Sequence, residues 1–252
     1  MKTLVYASYL DSSLKIPLVK YNLEQLKPFF EKIILVYSSI DEENIFFPSG
    51  FCELDEKEIF LTKNVGYDFG KYKLGLEKSQ INSNSHTAII NDSVSVIQPL
   101  EQIFKKIDLL IKQDFENIGI LSSDEIKKHY QSWFWVLGRK AQEFCIKNIN
   151  TKLTERQESI INNEVGISNQ MTLNFKSYSL FENDTNIFYK DPNLTLEYIE
   201  NGFPFIKNNV FDDSFLRGHK LKFSNDLTNS KRINKTLLSL IKNYYKDKNK
   251  TI

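Results

Sequence analysis

The chain has 252 residues, which is enough for one large domain with a sizeable hydrophobic core. Its 33 basic and 32 acidic residues nearly cancel, and this balance argues against a dedicated nucleic-acid-binding protein. The two cysteines, Cys52 and Cys145, lack the spacing of a metal site and are expected to be free thiols in a reducing compartment. The first apolar run is too short for a signal peptide and no run reaches transmembrane length, so we expect a cytoplasmic protein.

Strands and helices alternate along the first half of the chain. Short apolar runs predict strands, and apolar residues at helical spacing predict helices. The predicted strands are 3–9, 33–37, 58–61, 87–90, 118–121 and 133–137. The predicted helices are 14–30, 72–79 and one that starts at Pro99 and buries Leu100, Ile103, Phe104, Ile107 and Leu110. This alternation predicts an α/β domain whose mostly parallel central sheet is flanked by helices.

The second half of the chain is less regular and ends in a basic segment. Residues 151–200 are polar, rich in asparagine and inclined to form helices. Residues 231–252 carry seven basic residues against Asp247, a net charge of +6, interleaved with leucine, isoleucine and tyrosine. We therefore divide the chain into a domain over 1–230 and a basic amphipathic tail over 231–252. Such a helix either lies on an anionic membrane, here the inner face of the cytoplasmic membrane, or packs on the domain.

The stretch Asn91-Asp92-Ser93 follows the strand predicted at 87–90. Ligands of parallel α/β sheets bind outside the carboxyl ends of the strands, and Asp92 is expected at such an end. Hard oxygen ligands of this kind suit a divalent cation such as Mg²⁺ or Mn²⁺ and the phosphates that it neutralises. The alternative is a plain turn, because Asn, Asp and Ser are all turn formers.

A turn with two glycines, residues 64–70, follows a predicted strand and opens a helix. Gly66 would permit a tight turn, and the amides of a helix N-terminus favour an anion nearby. Asp68 could accept hydrogen bonds from a base or a sugar, and Lys71 could offset phosphate charge. The alternative is that Asn64 and Asp68 are only turn and cap residues. The G-K-[ST] ending of a phosphate-binding P-loop is missing.

Polar residues also flank the last two predicted strands of the first half. Asp124 comes just past the strand at 118–121, and His129 and Gln131 lead into the aromatic strand that holds Trp133 and Trp135. Polar groups beside tryptophans would form a platform for sugar rings. The alternative for both tryptophans is packing in the core.

Three more charged residues are candidates for a site. Glu164 is an isolated carboxylate at a predicted helix start, where capping is the alternative role. Lys207 is a cation that ends an ordered turn over 202–207. His219 lies in a cationic cluster and is a candidate metal ligand, although a lone histidine is more often structural.

These stretches, in this order, resemble the rhamnan synthesis protein F family of bacterial polysaccharide glycosyltransferases. The resemblance rests on four pieces that span roughly residues 1–215, and the basic tail lies outside it. The pieces are Asn64-Val65-Gly66-Tyr67-Asp68-Phe69-Gly70, Asn91-Asp92-Ser93, His129-Tyr130-Gln131-Ser132-Trp133-Phe134, and Glu164-Val165-Gly166-Ile167-Ser168 with Gly202-Phe203-Pro204-Phe205-Ile206-Lys207.

The resemblance implies a GT-A-type fold, in which a Rossmann-like α/β domain holds a nucleotide-sugar and a divalent metal. Asn91-Asp92-Ser93 is similar in position to the D-x-D motif of that fold, but an amide replaces the first acid, which leaves Asp92 as the expected metal ligand. The expected donor site consists of polar residues and glycine at strand ends and turns, namely Ser8, Ser38, Asn64, Gly66, Asp68, Lys71, Asn91, Asp92 and Ser93.

The resemblance also implies roles in the reaction. Glu164 is similar to the acidic residue that serves as general base in inverting members of the wider fold group, and Asp124 is the second candidate for that base. The acceptor is expected at His129, Gln131, Trp133 and Lys207.

The expected activity is that of a hexosyltransferase-like enzyme, which moves a sugar from a nucleotide-sugar to a glycan or lipid-linked acceptor of the cell surface. Two alternatives stay open. A sugar nucleotidyltransferase would need a glycine-rich, basic phosphate loop near the N-terminus, and residues 7–12 do not supply one. A non-catalytic binding module on a decayed transferase fold is favoured slightly by Asn91.

Overall fold

The computed structural model describes residues 3–40, 47, 51–79, 86–182, 192–211 and 235–248. The strands within these ranges are β1 Thr3–Leu10, β2 Lys32–Ser39, β3 Ile59–Leu61, β4 Thr87–Asn91, β5 Val94–Val96, β6 Asn117–Ser123, β7 His129–Tyr130, β8 Phe134–Leu137, β9 Ser177–Phe181 and β10 Phe205–Lys207. The helices are α1 Ile16–Leu26, α2 Tyr67–Lys78, α3 Glu101–Lys112, α4 Arg139–Asn148, α5 Arg156–Ser159, a π-helix Ile160–Ile167, α6 Ser168–Asn174, α7 Pro192–Glu200 and α8 Lys235–Lys248.

The main sheet has the strand order β3-β2-β1-β4-β8-β6-β7, and β9 pairs with β6. β1 to β4 run parallel to one another, and β9 is parallel to β6, whereas β8 is antiparallel to both β4 and β6. β5 and β10 form a separate antiparallel pair. The predicted mixed α/β fold with a mostly parallel central sheet flanked by helices is thus confirmed.

Helices cover both faces of the sheet. Alternate residues of β1 point to opposite sides, so that Leu4 and Tyr6 join one hydrophobic cluster and Val5 and Ala7 join another. α1 and α3 pack on the first face, and α2, α4 and α6 pack on the second. This burial on both sides explains why the parallel strands read as continuous apolar runs.

The parallel register brings the polar strand ends together. Ala7 of β1 pairs with Asn91 of β4, and the amide of Asp92 donates to the carbonyl oxygen of Ala7. Asp92 therefore lies just beyond the carboxyl end of β4, as predicted, beside the last residues of β1.

Several element boundaries differ from the predictions. α2 starts at Tyr67 rather than residue 72, so the glycine-containing turn forms the helix start itself. α3 starts at Glu101 rather than Pro99, and its predicted apolar face is buried. The strands β5, β7, β9 and β10 were not predicted. β5 has three residues and pairs only with β10, about a hundred residues later, so local pattern carries no signal for it.

The C-terminal helix α8 packs on the rest of the domain. Its buried residues form one cluster with Leu18, Ile97, Ile199 and Ile206, and they are Leu237, Leu238, Ile241, Tyr244 and Tyr245. Of the two alternatives for the tail, packing on the domain is the one observed over 235–248, and this apolar face is not open to a membrane. Among the described helices, none has the length and apolarity to cross a membrane.

Candidate active site

A cavity of about 810 Å³ opens beyond the carboxyl ends of β1 and β4, which is where parallel α/β sheets bind ligands. Ten of the residues that the sequence analysis predicted for a site line this cavity. These are Asn64, Asp68, Asn91, Asp92, Ser93, His129, Gln131, Trp133, Glu164 and Lys207. Five separate stretches of the chain therefore meet at one place.

Asp92 is buried beside the carboxyl end of β1 and is held by three donors. Its Oδ2 accepts hydrogen bonds from Ser8 Oγ at 2.6 Å and from the Tyr9 amide at 2.9 Å. Lys15 Nζ lies 2.9 Å from the same oxygen in an ion pair. Ser8, an expected donor-binding residue, is fully buried and does not line the cavity, so it positions Asp92 instead.

Asn91 links the two predicted donor-binding turns. Its Nδ2 donates to Asp68 Oδ2 at 2.9 Å, and its Oδ1 accepts from the amide of Ser93 at 3.1 Å and from the Ser93 hydroxyl. Burial raises the pKa of Asp68, Lys71 offsets part of this rise, and the nearby Asp92 carboxylate adds to it. An amide at position 91 therefore supplies the donor that this crowded carboxylate needs.

The segment 64–70, which leads into the first turn of α2, requires both of its glycines. Gly66 has a φ of +70°, and a Cβ there would lie 2.9 Å from the Cα of Thr151. A Cβ on Gly70 would lie 2.0 Å from the carbonyl oxygen of Val65. Tyr67 also has a positive φ, at 55°, and lines the cavity, which is strain of the kind often found at functional sites.

Lys71 and Ser38 hold the cavity residue Asn64 in place without lining the cavity themselves. Lys71 is 1% exposed and donates from Nζ to Asn64 Oδ1 at 2.8 Å and to the Tyr67 carbonyl at 3.2 Å. Ser38 Oγ also donates to Asn64 Oδ1. Lys71, Ser38 and Gly66 do not line the cavity. The geometry therefore does not favour direct contact between Lys71 and a phosphate.

The sequence suggested that Glu164 starts a helix. In the structure it lies inside the π-helix 160–167 instead. π-helical turns are rare and occur frequently at functional sites. Its Oε2 accepts a 2.7 Å hydrogen bond from Ser132 Oγ, and His129 Nε2 lies 3.8 Å from its Oε1. The preceding Asn163 is buried and exchanges hydrogen bonds with the backbone of Asn150, which anchors the π-helix.

His129 has a fixed orientation beside Glu164. Its Nδ1 lies 2.7 Å from the carbonyl oxygen of Lys127, so Nδ1 must carry a hydrogen to donate there. Nε2 is then the atom that faces Glu164, and it bears a second hydrogen only when the ring is protonated. At 3.8 Å the two side chains are neighbours without a hydrogen bond, and they form an ion pair only when the ring is protonated.

The two tryptophans favour core packing over a sugar platform. Trp135 is fully buried and does not reach the cavity. Trp133 lines the cavity but is only 2% exposed, and its ring packs edge-on against Phe203 and Phe205. Its Nε1 donates to Gln131 Oε1 at 2.7 Å, so it fixes a polar cavity residue instead of offering its own ring face.

Two candidates lie elsewhere. Asp124 is exposed and is absent from the cavity lining, whereas its neighbours Ser123 and Glu125 belong to it. This position does not favour Asp124 as the second candidate base. His219 lies outside the described residues.

Sequence reasoning missed Lys15, Asp11, Tyr244 and Tyr245, which all line the cavity. The Tyr244 hydroxyl donates to the Asp11 carboxylate, with its oxygen 2.6 Å from Oδ2 and 2.7 Å from Oδ1. Burial and Asp11 raise the pKa of Tyr244. Lys15 and Asp11 follow β1 as the other site turns follow their strands, so strand-end position was the available signal. Nothing local marks the two tyrosines.

The donor set at Asp92 does not fit the expected Mg²⁺ or Mn²⁺. Asp92 Oδ2 already accepts three hydrogen bonds, and Asn91 presents an amide nitrogen, not a second carboxylate, to Asp68. Within the described ranges, no group of three or more His, Cys, Asp or Glu residues could hold a metal ion. Mg²⁺ is usually held by one or two carboxylates together with waters and substrate phosphates, and here the Lys15 ammonium group already lies on the Asp92 carboxylate that would be one of them.

No protein-family model and no curated protein matches the chain. Among solved structures, it is similar to HddC from Yersinia pseudotuberculosis, at 12% identity and a TM-score of 0.43, over 72% of this chain and 91% of that one. A putative nucleotide-diphospho-sugar transferase from Desulfovibrio desulfuricans G20 has 12% identity and a TM-score of 0.41, over 97% and 99%. The glycosyltransferase GlyE of Streptococcus pneumoniae TIGR4 has 13% identity and a TM-score of 0.46, over 99% and 65%. Likenesses at this level identify neither a family nor an activity.

Proposed function

We propose that the chain is a glycosyltransferase that moves a sugar from a nucleotide-sugar donor to a hydroxyl group of a growing bacterial cell-surface polysaccharide or lipid-linked glycan. The observation that carries this proposal is the joint lining of one cavity. Asp68, Asn91, Asp92 and Ser93 at strand ends share it with Glu164, a carboxylate oriented by Ser132. Donor recognition and base catalysis can thus take place in the same space.

The polar strand ends suit the nucleotide-sugar. Asp68 and the Asn91-Asp92-Ser93 turn offer carboxylate, amide and hydroxyl groups that can accept hydrogen bonds from a ribose or a sugar ring. Their positions are fixed by the contacts of Asn91 with Asp68 and Ser93. A cavity of about 810 Å³ lies within the range of ligand pockets of roughly 300–1,000 Å³.

Glu164 suits the role of general base. Its carboxylate would accept the proton of the acceptor hydroxyl while that oxygen forms a bond to the anomeric carbon and the bond to the diphosphate breaks. A single displacement of this kind inverts the anomeric configuration. Ser132 holds Oε2, so Oε1, beside His129 Nε2, is the oxygen placed to take the proton.

The acceptor would bind to polar residues that line the same cavity as Glu164. His129, Gln131 and Lys207 all line the cavity, and Gln131 is fixed by Trp133. Polar side chains held in place by the fold favour recognition of hydroxyl groups, because a buried polar group left unpaired costs free energy.

A thermal-unfolding screen with nucleotide-sugars tests the proposal. Ligands that bind only the folded state raise its apparent stability by mass action. We expect at least one of UDP-, GDP-, CDP- or dTDP-sugars to raise the Tm of the wild-type chain, and Asp68→Ala to abolish that rise. The matched control Glu56→Ala removes an exposed carboxylate outside the cavity lining and should keep it.

Other outcomes would point to the alternatives. Stabilisation by nucleoside triphosphates together with sugar 1-phosphates, but not by nucleotide-sugars, would indicate a nucleotidyltransferase. Stabilisation by oligosaccharides alone would indicate a non-catalytic binding module. Either result would overturn the proposed transfer reaction.

A further inference from the structure

We infer that the Lys15 ammonium group takes the place of a divalent cation in this cavity and binds the diphosphate of the donor directly. This inference rests on the proposed function, because it concerns the leaving group of that reaction. It assigns a role to a residue outside every motif that the sequence singled out.

Lys15 occupies the position in which a cation would meet Asp92. Its Nζ lies 2.9 Å from Asp92 Oδ2 and donates to the carbonyl oxygen of Tyr9 at 2.8 Å. These contacts use two of the three N–H donors of an ammonium group and leave the third for an oxygen in the cavity, which Lys15 lines. The side chain is 12% exposed, so it is both held and reachable.

The surroundings keep this ammonium group charged. Burial alone would lower the pKa of Lys15, but the carboxylates of Asp92 and Asp11 outweigh it, and the pKa is raised. The Tyr244 ring lies 6.0 Å from Nζ and adds a favourable contact with its π face. A permanent positive charge is thus fixed at the cavity wall.

The same contacts occupy Oδ2 of Asp92, the oxygen that a metal ion in the place of Lys15 would need. Lys15, Ser8 and the Tyr9 amide already saturate Oδ2 with donors, and all three would have to be displaced from it. Asn91 has no second carboxylate to offer, and its one side-chain oxygen, Oδ1, already accepts from the Ser93 amide. The chain therefore carries its own cation where a metal-dependent enzyme would recruit one.

The charge has a defined use in the reaction. When the bond between the anomeric carbon and the diphosphate breaks, the bonding electron pair stays on the phosphate oxygen. A preorganised ammonium group stabilises this developing negative charge, as fixed Lys and Arg clamps do in other phosphate chemistry. No metal ion and no further co-reactant enters this balance.

Isothermal titration with UDP, GDP, CDP and dTDP, in EDTA and in Mn²⁺, tests the inference. We expect one nucleoside diphosphate to bind the wild-type chain with the same Kd in both buffers. Lys15→Met should weaken that diphosphate by about 10- to 100-fold, since it removes a hydrogen bond to a charged group. The corresponding nucleoside without phosphates should lose little affinity.

Lys20→Met is the matched control, because Lys20 lies on α1 close to Lys15 but is exposed and points to Glu24. It should bind like the wild type, and the unfolding curves of both variants should show that they fold. Binding of wild type that requires Mn²⁺, or equal diphosphate affinity in folded Lys15→Met, would overturn the inference alone. Absence of binding by every nucleotide in both buffers would overturn the proposed function as well.

Discussion

Asn91 Nδ2 donates a 2.9 Å hydrogen bond to Asp68 Oδ2, and this contact joins two turns that lie 23 residues apart in the sequence. It ties the end of β4 to the start of α2 at the wall of the cavity. The contact also explains why an amide stands where a metal-binding transferase would carry an acid. Asp68 lies near Asp92, and a third carboxylate between them would be repelled by both.

Asn91→Asp should therefore destabilise the chain at neutral pH. The change replaces a donor with a negative charge beside Asp68, and we expect the free energy of unfolding to fall by about 1–3 kcal/mol. It also creates a cluster of three carboxylates, so Mn²⁺ should restore stability to the variant while leaving the wild type unchanged. Thermal unfolding with and without Mn²⁺ measures both effects. An unaltered Tm in the absence of metal would show that the repulsion is not there.

Asp68→Asn should stabilise the chain at neutral pH. Because burial raises the pKa of Asp68 in the folded state above its ordinary value of 3.8, the folded chain holds the proton more tightly than the unfolded chain. The resulting stabilisation is complete below the unfolded pKa and is lost as the pH rises through the folded pKa. The variant should therefore exceed the wild type in stability at pH 7, and the difference should shrink toward pH 4. Urea unfolding across this range measures it, and a variant less stable than wild type at pH 7 would contradict the argument.

Gly66→Ala should be more harmful than Gly202→Ala. Both glycines have positive φ, at +70° and +92°, so each substitution strains the backbone by about 1–3 kcal/mol. Only at Gly66 would the added Cβ also meet the Thr151 Cα, at 2.9 Å, because nothing lies within 4 Å of a Cβ on Gly202. Chemical denaturation of the two variants gives the comparison. Equal losses would mean that the close approach of Thr151 relaxes freely.

Tyr244→Phe should destabilise the packing of α8 at the wall of the cavity. The change removes the hydroxyl that donates to Asp11, and a hydrogen bond to a charged group contributes about 1.5–3 kcal/mol. Ser239→Ala, an exposed change on the same helix, is the control and should have little effect. The denaturation midpoints of the two variants measure the difference. A Tyr244→Phe midpoint equal to that of the control would show that the hydrogen bond from Tyr244 to Asp11 does not stabilise the packing of α8.

Local pattern predicted the strands β1 to β4, β6 and β8, the helix α3 and the position of Asp92, because apolar runs and the carboxyl ends of parallel strands are visible in short windows. It did not predict the contacts that complete the site. Tyr244 meets Asp11 across 233 residues, and Asn208 Nδ2 reaches the carbonyl oxygen of Asp92 across 116. These partners come together only once the fold exists.

The π-helix shows a different limit. Glu164 was identified as a candidate base from a resemblance, but its sequence surroundings suggested a helix start. Its actual placement depends on Asn163 bonding to the backbone of Asn150 and on Ser132 bonding to the carboxylate, and neither contact has a helical or strand period. Polar contacts of this kind leave no trace in hydrophobic patterning.

The release of nucleoside diphosphate from the donor that the thermal screen identifies, in the presence of acceptor glycan, tests the central claim most directly. Glu164→Gln keeps an acceptor for Ser132 but cannot take a proton, so we expect turnover to fall by about 10²- to 10⁴-fold with donor affinity unchanged. Glu158→Gln, an exposed change outside the cavity lining, should turn over like the wild type. Full turnover by Glu164→Gln would contradict the account, since the base of the reaction would then lie elsewhere.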